Sequence, residues 1–400
     1  MPPPTQASMF VVLQPYLWPL VVSLVLTLIA TPLIRRLAIS RKIYDLPDSY
    51  LKPHSEPIPY LGGLGIFAGW AGGLAFMLLF APETSLPSGS RRMLLFILSA
   101  GTLMMLTGLI DDLVNLRPRT KLLCELGVAA LLIAGGIGDR VFTVFIAWTL
   151  KYGWHVPEPV IFGASAILTV FILMGAGNAT NLIDGLDGLC SGVTGIITIG
   201  FVAIAAHLAA FGFSPPLGDP VRLTVAFALL GACAAFLHYN FNPARVFMGD
   251  AGSLLLGFNA AVMLLLFAEK SILRWFLGAC MVFSLPVFDT ALAIGRRWLN
   301  GRPLFEGDRS HFYDQLRDRG LSVRQTVVIC YGLAAFLAAV GCLVMFVRTR
   351  YALIIFLVVV ASAVVAAIRL GMLRKETGGG FEVIAGPPGG AGRATDHRAA

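Results

Sequence analysis

Five short polar stretches interrupt an otherwise apolar chain, and they contain the residues that could carry out chemistry at a membrane surface. They are Asp111-Asp112, 178–187 (NATNLIDGLD), 247–253 (FMGDAGS), Asp289 and 308–311 (DRSH). An ionisable group near hydrocarbon is costly, so each stretch indicates a function. Carboxylates gathered at one membrane face are suited to hold a divalent cation together with a polyanion. This pattern is typical of an enzyme.

The adjacent acids Asp111 and Asp112 end the third apolar segment, and Lys121 follows them. Neighbouring residues of a helix point about 100° apart, which predicts that the two carboxylates have different partners. Lys121 offers a counter-charge or a contact to phosphate. The alternative is an interfacial pair that caps a helix end.

Four polar residues recur at every third position, namely Asn178, Asn181, Asp184 and Asp187. In a helix this spacing would build one polar stripe. Gly185 and Gly188 instead permit tight turns that bring backbone close to a ligand. The acids could hold a metal directly or through water, and the amides could bond a sugar or uracil. The alternative is a polar loop between helices.

Asp250 precedes an apolar segment and lies between Gly249 and Gly252. The N-terminus of the helix that follows favours an anion such as phosphate. A carboxylate beside it could bridge to that anion through Mg²⁺, which prefers oxygen ligands. Asp250 could also cap the helix.

The long segment 295–324 carries seven arginines, including Arg309, together with Asp308 and His311. Arginine suits phosphate recognition, so this segment is a candidate for binding a diphosphate. A solvated basic loop is the alternative. Asp289 needs a partner, and an arginine at the end of its own segment could be that partner.

Lys52 and His54 lie in a proline-broken basic stretch before the second apolar segment. Such a stretch could contact a lipid phosphate, or it could be a plain linker.

Composition sets the fold class. The 400 residues are 57% hydrophobic and 13% charged, and the mean hydropathy is +0.80. The apolar residues fall in blocks of about 20, the length of a membrane-crossing helix. We therefore predict an all-α, polytopic transmembrane bundle in contact with lipid. The formal charge of +8 then reflects membrane topology, and no nucleic acid is expected. Six scattered cysteines without a CxxC pair argue against a zinc site.

Eleven spans are predicted, with the N-terminus outside and the C-terminus in the cytoplasm. They are 10–38, 60–81, 93–113, 121–138, 159–177, 189–211, 221–240, 252–268, 272–294, 325–347 and 351–371. This arrangement places 21 of the 30 Lys and Arg residues inside, as the positive-inside rule requires. Residues 1–375 form one membrane domain, and 376–400 are predicted to be a disordered cytoplasmic tail.

In their order, the polar stretches resemble the polyprenyl-phosphate N-acetylhexosamine-1-phosphate transferases (glycosyltransferase family 4) over about residues 10–370. The motifs that carry the resemblance are DLPDSYLKPHSEPIPYLGG, LIDDLVNLRPRTK, NATNLIDGLDGL, VFMGDAGSLLLG and RPLFEGDRSHFYDQLRDRG. The first motif is more similar to the branch that transfers GlcNAc-1-phosphate than to the phospho-MurNAc-pentapeptide translocases.

The resemblance implies that polyprenyl (undecaprenyl) phosphate attacks the β-phosphorus of a UDP-N-acetylhexosamine and releases UMP. Mg²⁺ is the expected cofactor, with Mn²⁺ as an alternative. By resemblance, Asp250 is the metal ligand, and Asp184 and Asp187 position metal or nucleotide. The expected place is the cytoplasmic face of a bacterial inner membrane; a homodimer is left open.

The other roles also follow from the resemblance. Asp111 or Asp112 orients the lipid phosphate or assists its deprotonation, and His311 contacts the diphosphate. The remaining substrate-binding candidates are Lys52, His54, Lys121, Asn178, Asn181, Asp308 and Arg309.

The sequence departs from the family at two places. Members usually carry a His-x-His-His cluster, but the matching positions here read His311, Tyr313 and Asp314. The usual Arg-Lys pair of the first loop is Leu51-Lys52.

Three other functions compete with this one. Phospho-MurNAc-pentapeptide transfer is the nearest enzyme alternative. An ion-coupled transporter would gather its acids near the bilayer midplane between repeats, whereas these lie toward one face. A CDP-alcohol phosphotransferase shares the DxxDG element of 184–188, but 189–200 lacks the further Asp residues of that pattern.

The topology gives a first test. Membrane-impermeant labelling from outside the cell should not reach residues 184, 250 or 311, because all three are predicted to lie at the cytoplasmic leaflet. The measurement is labelling of single cysteines at these positions in a chain freed of its native cysteines. Labelling at any of them in intact cells would contradict the common face.

Overall fold

The computed structural model describes residues 9–45, 57–153, 155–211, 218–269, 271–301 and 311–373. The described part is mostly helical. Its helices are α1 (Met9–Leu13), a 3₁₀ turn (Gln14–Tyr16), α2 (Leu17–Ser40), α3 (Gly63–Phe80), α4 (Ser88–Val114), α5 (Pro118–Ala134), α6 (Thr143–Lys151), α7 (Glu158–Leu182), α8 (Leu189–Ala210), α9 (Gly218–Asn240), α10 (Gly249–Ala268), α11 (Leu273–Val282), α12 (Ser284–Leu299), α13 (Phe312–Asp318), α14 (Val323–Val344) and α15 (Thr349–Arg369). Two short strands, β1 (Tyr44–Asp45) and β2 (Ile58–Pro59), pair antiparallel.

The all-α membrane fold is confirmed. In the described residues, nine helices are long and apolar enough to cross a membrane, and α11 with α12 forms a tenth candidate bent by 71°. The difference from the eleven predicted spans lies at 121–138. The corresponding helix, α5, has 17 residues, slightly short for a crossing of about 20.

Helix α10 is the centre of the bundle. All of its residues except Asp250 are buried, although most candidate spans present a face to the outside. It packs against α3, α4, α7 and α11. Because Asp250 belongs to this helix, the carboxylate is held by the most enclosed element of the fold.

Small residues allow the neighbouring helices to approach α10 closely. A Cβ atom on Gly108 of α4 would lie 2.6 Å from the backbone nitrogen of Ala251, and one on Gly257 would lie 2.6 Å from the carbonyl oxygen of Ala176. Membrane helices often associate through such small residues, since lipid provides no hydrophobic driving force between them.

Local signals end α4 just after Asp112, and α7 ends within the stretch 178–187. Asn115, with φ 51°, ends α4 in the left-handed region, and Pro118 begins α5. Gly188, with φ 78°, lies between α7 and α8. A left-handed residue is common just beyond a helix end. These signals bring the end of α4, the end of α7 and the start of α10 together, and we call this end of the bundle the acidic end.

The segment before α10 is fixed to the β-ribbon by backbone hydrogen bonds. The N–H of Phe247 donates to the carbonyl of Pro59 (3.0 Å). Gly62 and Gly63 donate to the carbonyls of Phe247 and Met248, at 2.8 and 2.9 Å. The ribbon therefore forms part of the acidic end.

The packing around α10 gives a second test. Gly108→Ala should lower the thermal unfolding temperature in detergent, because the new methyl group meets backbone that cannot move aside. Overpacking of this kind costs about 1–3 kcal/mol. Gly163→Ala in α7 is the matched control, since nothing lies within 4 Å of its Cβ position. Equal stability of the two variants would contradict the described contact.

Candidate active site

Asp250 lies in the first turn of α10 and accepts hydrogen bonds through both carboxylate oxygens. The Asn181 amide donates to Oδ1 at 2.7 Å, and the Lys121 ammonium donates to Oδ2 at 3.1 Å. Asn181 also donates to the Ser253 hydroxyl (2.9 Å). Residues from α5, α7 and α10 thus meet at one carboxylate.

Lys121 connects Asp250 to Asp111. Its ammonium lies 2.9 Å from Asp111 Oδ2, and Asp111 Oδ1 accepts from the backbone N–H of Leu116 (2.8 Å). All three charged side chains remain partly open to solvent. The cation therefore offsets two carboxylates that would otherwise repel each other.

Asp112 faces a different partner from Asp111, as the spacing on the helix predicted. Its carboxylate accepts from the backbone N–H groups of Asp250 (2.8 Å) and Ala251 (3.0 Å) at the start of α10. Negative charge is favourable at a helix N-terminus. Asp112 therefore ties α4 to the first turn of α10.

Tyr60 completes the contacts of Asp112. Its hydroxyl makes a side-chain hydrogen bond with the Asp112 carboxylate. Burial raises the pKa of the Tyr60 hydroxyl, and the charges of Asp112 and Asp250 raise it further. Tyr60 therefore stays a neutral donor at physiological pH.

The Asp187 carboxylate joins two segments of the fold through hydrogen bonds. One of its oxygens accepts from the Asn242 amide (2.9 Å) and from the backbone N–H of Ala244 (3.0 Å). These bonds fix the segment between α9 and α10 to the turn between α7 and α8.

Asp184 differs from Asp187, because its carboxylate forms no hydrogen bond with any other described residue. Burial raises the pKa of the Asp184 carboxyl well above its usual range. The charges of Asp250, Asp112 and Asp187 act in the same direction. An acid held close to like charges is suited to receive a cation.

His311 is 4% exposed and is oriented by Asp289. His311 Nδ1 lies 2.8 Å from Asp289 Oδ2, and Asp289 Oδ1 accepts from the Phe312 N–H at 2.6 Å. The nitrogen left for a further contact is Nε2. The expected pairing of Asp289 with an arginine at the end of its own segment is therefore wrong, because its carboxylate is bonded to His311 and to the Phe312 N–H instead.

A cavity of about 750 Å³ opens at the acidic end. Its lining includes Asn181, Asp184, Asp187 and Asp250 together with three arginines. The three arginines are Arg35, Arg245 and Arg317. A wall with both signs of charge can hold a cation and an anionic ligand side by side.

Several of these residues had no local signal in the sequence. Arg35 ends an apolar segment, and its Nε donates to the carbonyl of Arg245 (3.0 Å). The buried Asn240 accepts from the Gly188 N–H (3.1 Å) and donates to the carbonyl of Val246 (3.1 Å). The contacts of Arg35 with Arg245 and of Gly188 with Asn240 join residues far apart in sequence, which no spacing pattern predicts.

Of the remaining predicted residues, the structure describes only Asn178, and it is not part of this group. Asn178 is exposed, and its amide donates to Met174 of its own helix (2.8 Å), so it lies outside the cavity wall. Lys52, His54, Asp308 and Arg309 lie outside the described residues.

A metal would find oxygen donors here without a complete cage. Among the described residues, no group of three His, Cys, Asp or Glu side chains could hold a metal ion alone. Mg²⁺ usually binds through one or two carboxylates plus substrate phosphates and water. Asp184 and Asp250 fit that partial set.

The fold is that of a multi-pass integral-membrane protein. The cavity at one end carries both carboxylates and arginines, which suits it to charged ligands at the membrane surface. Residues 94–268 match the sequence pattern of Glycosyl transferase family 4. The chain belongs to this family, as its motifs predicted.

The relatives agree with the family match. A Bacillus subtilis (strain 168) protein named "Probable undecaprenyl-phosphate N-acetylglucosaminyl 1-phosphate transferase" is 33% identical over 87% of this chain and 90% of its own length. A decaprenyl-phosphate N-acetylglucosaminephosphotransferase of Mycobacterium tuberculosis is 33% identical over 72% of each chain. A phospho-N-acetylmuramoyl-pentapeptide-transferase of Moorella thermoacetica is 31% identical over 81% of this chain and 96% of its own.

The contrast between two acids gives a third test. Asp187→Ala should lower the unfolding temperature, since it removes two hydrogen bonds to a charged acceptor, a loss of about 1–3 kcal/mol. Asp184→Asn should leave the temperature unchanged or raise it, because like charges oppose this carboxylate. The measurement is thermal unfolding in detergent without divalent cations. A larger loss for Asp184→Asn than for Asp187→Ala would reverse the assignment.

Proposed function

We propose that this protein transfers N-acetylglucosamine-1-phosphate from UDP-N-acetylglucosamine to undecaprenyl phosphate. The products are undecaprenyl-diphospho-N-acetylglucosamine and UMP, and the reaction is the first membrane step of a cell-envelope polysaccharide. The observation that carries this proposal is the group of Asp111, Lys121, Asn181 and Asp250, held by hydrogen bonds beside an arginine-bearing cavity. The relatives' names supply the substrate class.

Charge repulsion is the main barrier to be overcome, because both substrates are anionic. Fixed donors in a water-excluding site stabilise developing charge more than water does. In this chain, Arg35, Arg245 and Arg317 would receive the nucleotide phosphates along the cavity wall. Lys121 would carry positive charge at the carboxylate end.

The nucleophile needs little activation. The second pKa of a phosphate monoester is about 6, so undecaprenyl phosphate is already largely a dianion at neutral pH. We therefore assign a small share of the rate to a general base. Positioning of the two phosphates contributes more.

Mg²⁺ is part of the proposal. When bound, it would neutralise charge on the diphosphate and stabilise the departing UMP oxygen. Asp250 and Asp184 would hold it. Asn181 and Asp112 would keep Asp250 in place, the first through its side chain and the second through the α10 backbone.

The remaining proposed roles concern place and ligand contacts. His311, oriented by Asp289, would bond a phosphate oxygen through Nε2. The active site would lie at the cytoplasmic face of a bacterial inner membrane, since UDP-sugars are cytoplasmic and the positive-inside count favours this orientation.

A second candidate is transfer of phospho-MurNAc-pentapeptide, which the Moorella thermoacetica relative favours. The two substrates differ in the bulk attached to the sugar. UMP release measured with UDP-N-acetylglucosamine and with UDP-MurNAc-pentapeptide distinguishes the two.

The central test uses purified protein, undecaprenyl phosphate and UDP-N-acetylglucosamine. Asp250→Asn should lower the rate of UMP release by at least about a hundredfold, and chelation of divalent cations should abolish release. Readdition of Mg²⁺ should restore it, with Mn²⁺ as the comparison.

Glu158→Gln is the matched control for Asp250→Asn. Glu158 lies on α7 at the end opposite Asn181 and pairs with Arg140 on the surface, so its loss should leave UMP release near the wild-type rate. Near-normal turnover of Asp250→Asn would overturn the metal assignment. Substrate-dependent flux in proteoliposomes without UMP formation would instead support a transporter.

A further inference from the structure

Tyr313 stands where the family usually has a histidine, and its surroundings give it a defined task. The side chain is 5% exposed. Its hydroxyl donates to the carbonyl of Leu182 at 3.0 Å. Leu182 is the last residue of α7, so this carbonyl lacks a partner within the helix. Tyr313 therefore caps the helix that leads directly into the Asp184 turn.

The same side chain fills the space beside Gly185. A Cβ atom at Gly185 would lie 2.6 Å from Tyr313 Cζ and 2.8 Å from Cε2, and it would lie closer still to the hydroxyl oxygen. A side chain at position 185 would therefore force the buried Tyr313 ring to move. Gly185 is exposed and forms part of the cavity wall, so Tyr313 supports that wall from behind.

On its other side, Tyr313 is joined to His311. The two rings are parallel, with an interplanar angle of 6° and centroids 5.5 Å apart. Asp289 fixes His311 from α12, and the Asp314 carboxylate accepts from the His311 N–H at 3.3 Å. The histidine and the Asp184 turn are therefore connected through one buried ring.

We propose that Tyr313 is a positioning residue that holds the Asp184 turn at a set distance from His311, and that Gly185 is the residue that makes this contact possible. The inference rests on the proposed function, because it assigns Asp184 and His311 to the same reaction. Tyr313 itself touches no substrate, since its ring is buried and its hydroxyl is engaged by Leu182.

The inference also explains the departure from the His-x-His-His cluster. The atoms that reach Leu182 and Gly185 are the hydroxyl, Cζ and Cε2, the far end of the tyrosine ring. A histidine at position 313 is shorter and would reach neither in the same way. In this chain, the Tyr313 side chain connects the Asp184 turn with His311.

The first experiment separates positioning from binding and from folding. Tyr313→Phe keeps the ring and removes the hydroxyl. We expect kcat for UMP release to fall roughly ten- to hundredfold, because small misplacements of reacting groups are costly. The KM for the UDP-sugar should stay within about twofold, since the three arginines of the cavity are unchanged. Tyr351→Phe, at an exposed tyrosine of α15, is the matched control.

The second experiment is a double-mutant cycle read by thermal unfolding, so it needs no substrate and no metal. Gly185→Ala alone should lower the unfolding temperature by about 3 °C or more. The same change in a Tyr313→His background should cost much less, because the crowding atoms are gone. In a Tyr313→Phe background it should remain costly, because Cζ and Cε2 are still present. Gly175→Ala is the control, with nothing within 4 Å of its Cβ position.

The outcomes distinguish failure of the Tyr313 positioning role from failure of the proposed function. Wild-type kcat in Tyr313→Phe, or equal costs of Gly185→Ala in all three backgrounds, would overturn the positioning role. A loss of kcat explained entirely by loss of folded protein would also overturn it. If the wild-type protein releases no UMP, the proposed function fails, while the cycle still decides whether Tyr313 and Gly185 are coupled.

Discussion

Asp112 spans the gap between two helices by accepting the backbone N–H groups of Asp250 and Ala251. The first N–H groups of a helix have no partner within it, and in α10 a carboxylate from α4 supplies one. The bond fixes the position of Asp250 relative to α4, and through Lys121 relative to α5. The other residues of the acidic end are arranged around Asp250, whose backbone N–H is held by Asp112.

The charges at this end are divided between two tasks. Asp112 and Asp187 satisfy backbone and amide donors, so they stabilise the fold. Asp184 has no such partner among the described residues and is surrounded by like charge. A protein that only needed a stable bundle would have no reason to place an acid there. This contrast supports the proposed role of Asp184 as a ligand of a cation.

The fold class could be predicted from the sequence, and so could the acids that meet at the acidic end, since both leave local signals. Hydrophobic blocks reveal helices, and isolated acids stand out among them. The different partners of Asp111 and Asp112 were also predicted correctly, because the angle between neighbours on a helix is fixed. The stripe from 178 to 187 is not one helix face, because α7 ends at Leu182 and leaves Asp184 and Asp187 in the turn that follows. Within α7, Asn181 reaches Asp250, whereas Asn178 bonds its own helix.

Contacts between distant segments could not be predicted. Asp289 with His311, Arg35 with the Arg245 carbonyl, and Tyr313 with Leu182 each depend on how helices cross. An arginine at the end of a span looks the same in sequence whether it lines a cavity or faces lipid. The catalytic role of Asp111, Asp112 and His311 stays a prediction, as do the orientation of the termini and the use of a metal.

The complete enclosure of α10 has a consequence for the bilayer. Helix α15, at the periphery, buries only 11% of its apolar window, whereas α10 buries all of it. We therefore expect changes in acyl-chain length to act first on the peripheral helices and only weakly on Asp250. We expect the geometry of the acidic end to stay the same when the surrounding lipid changes.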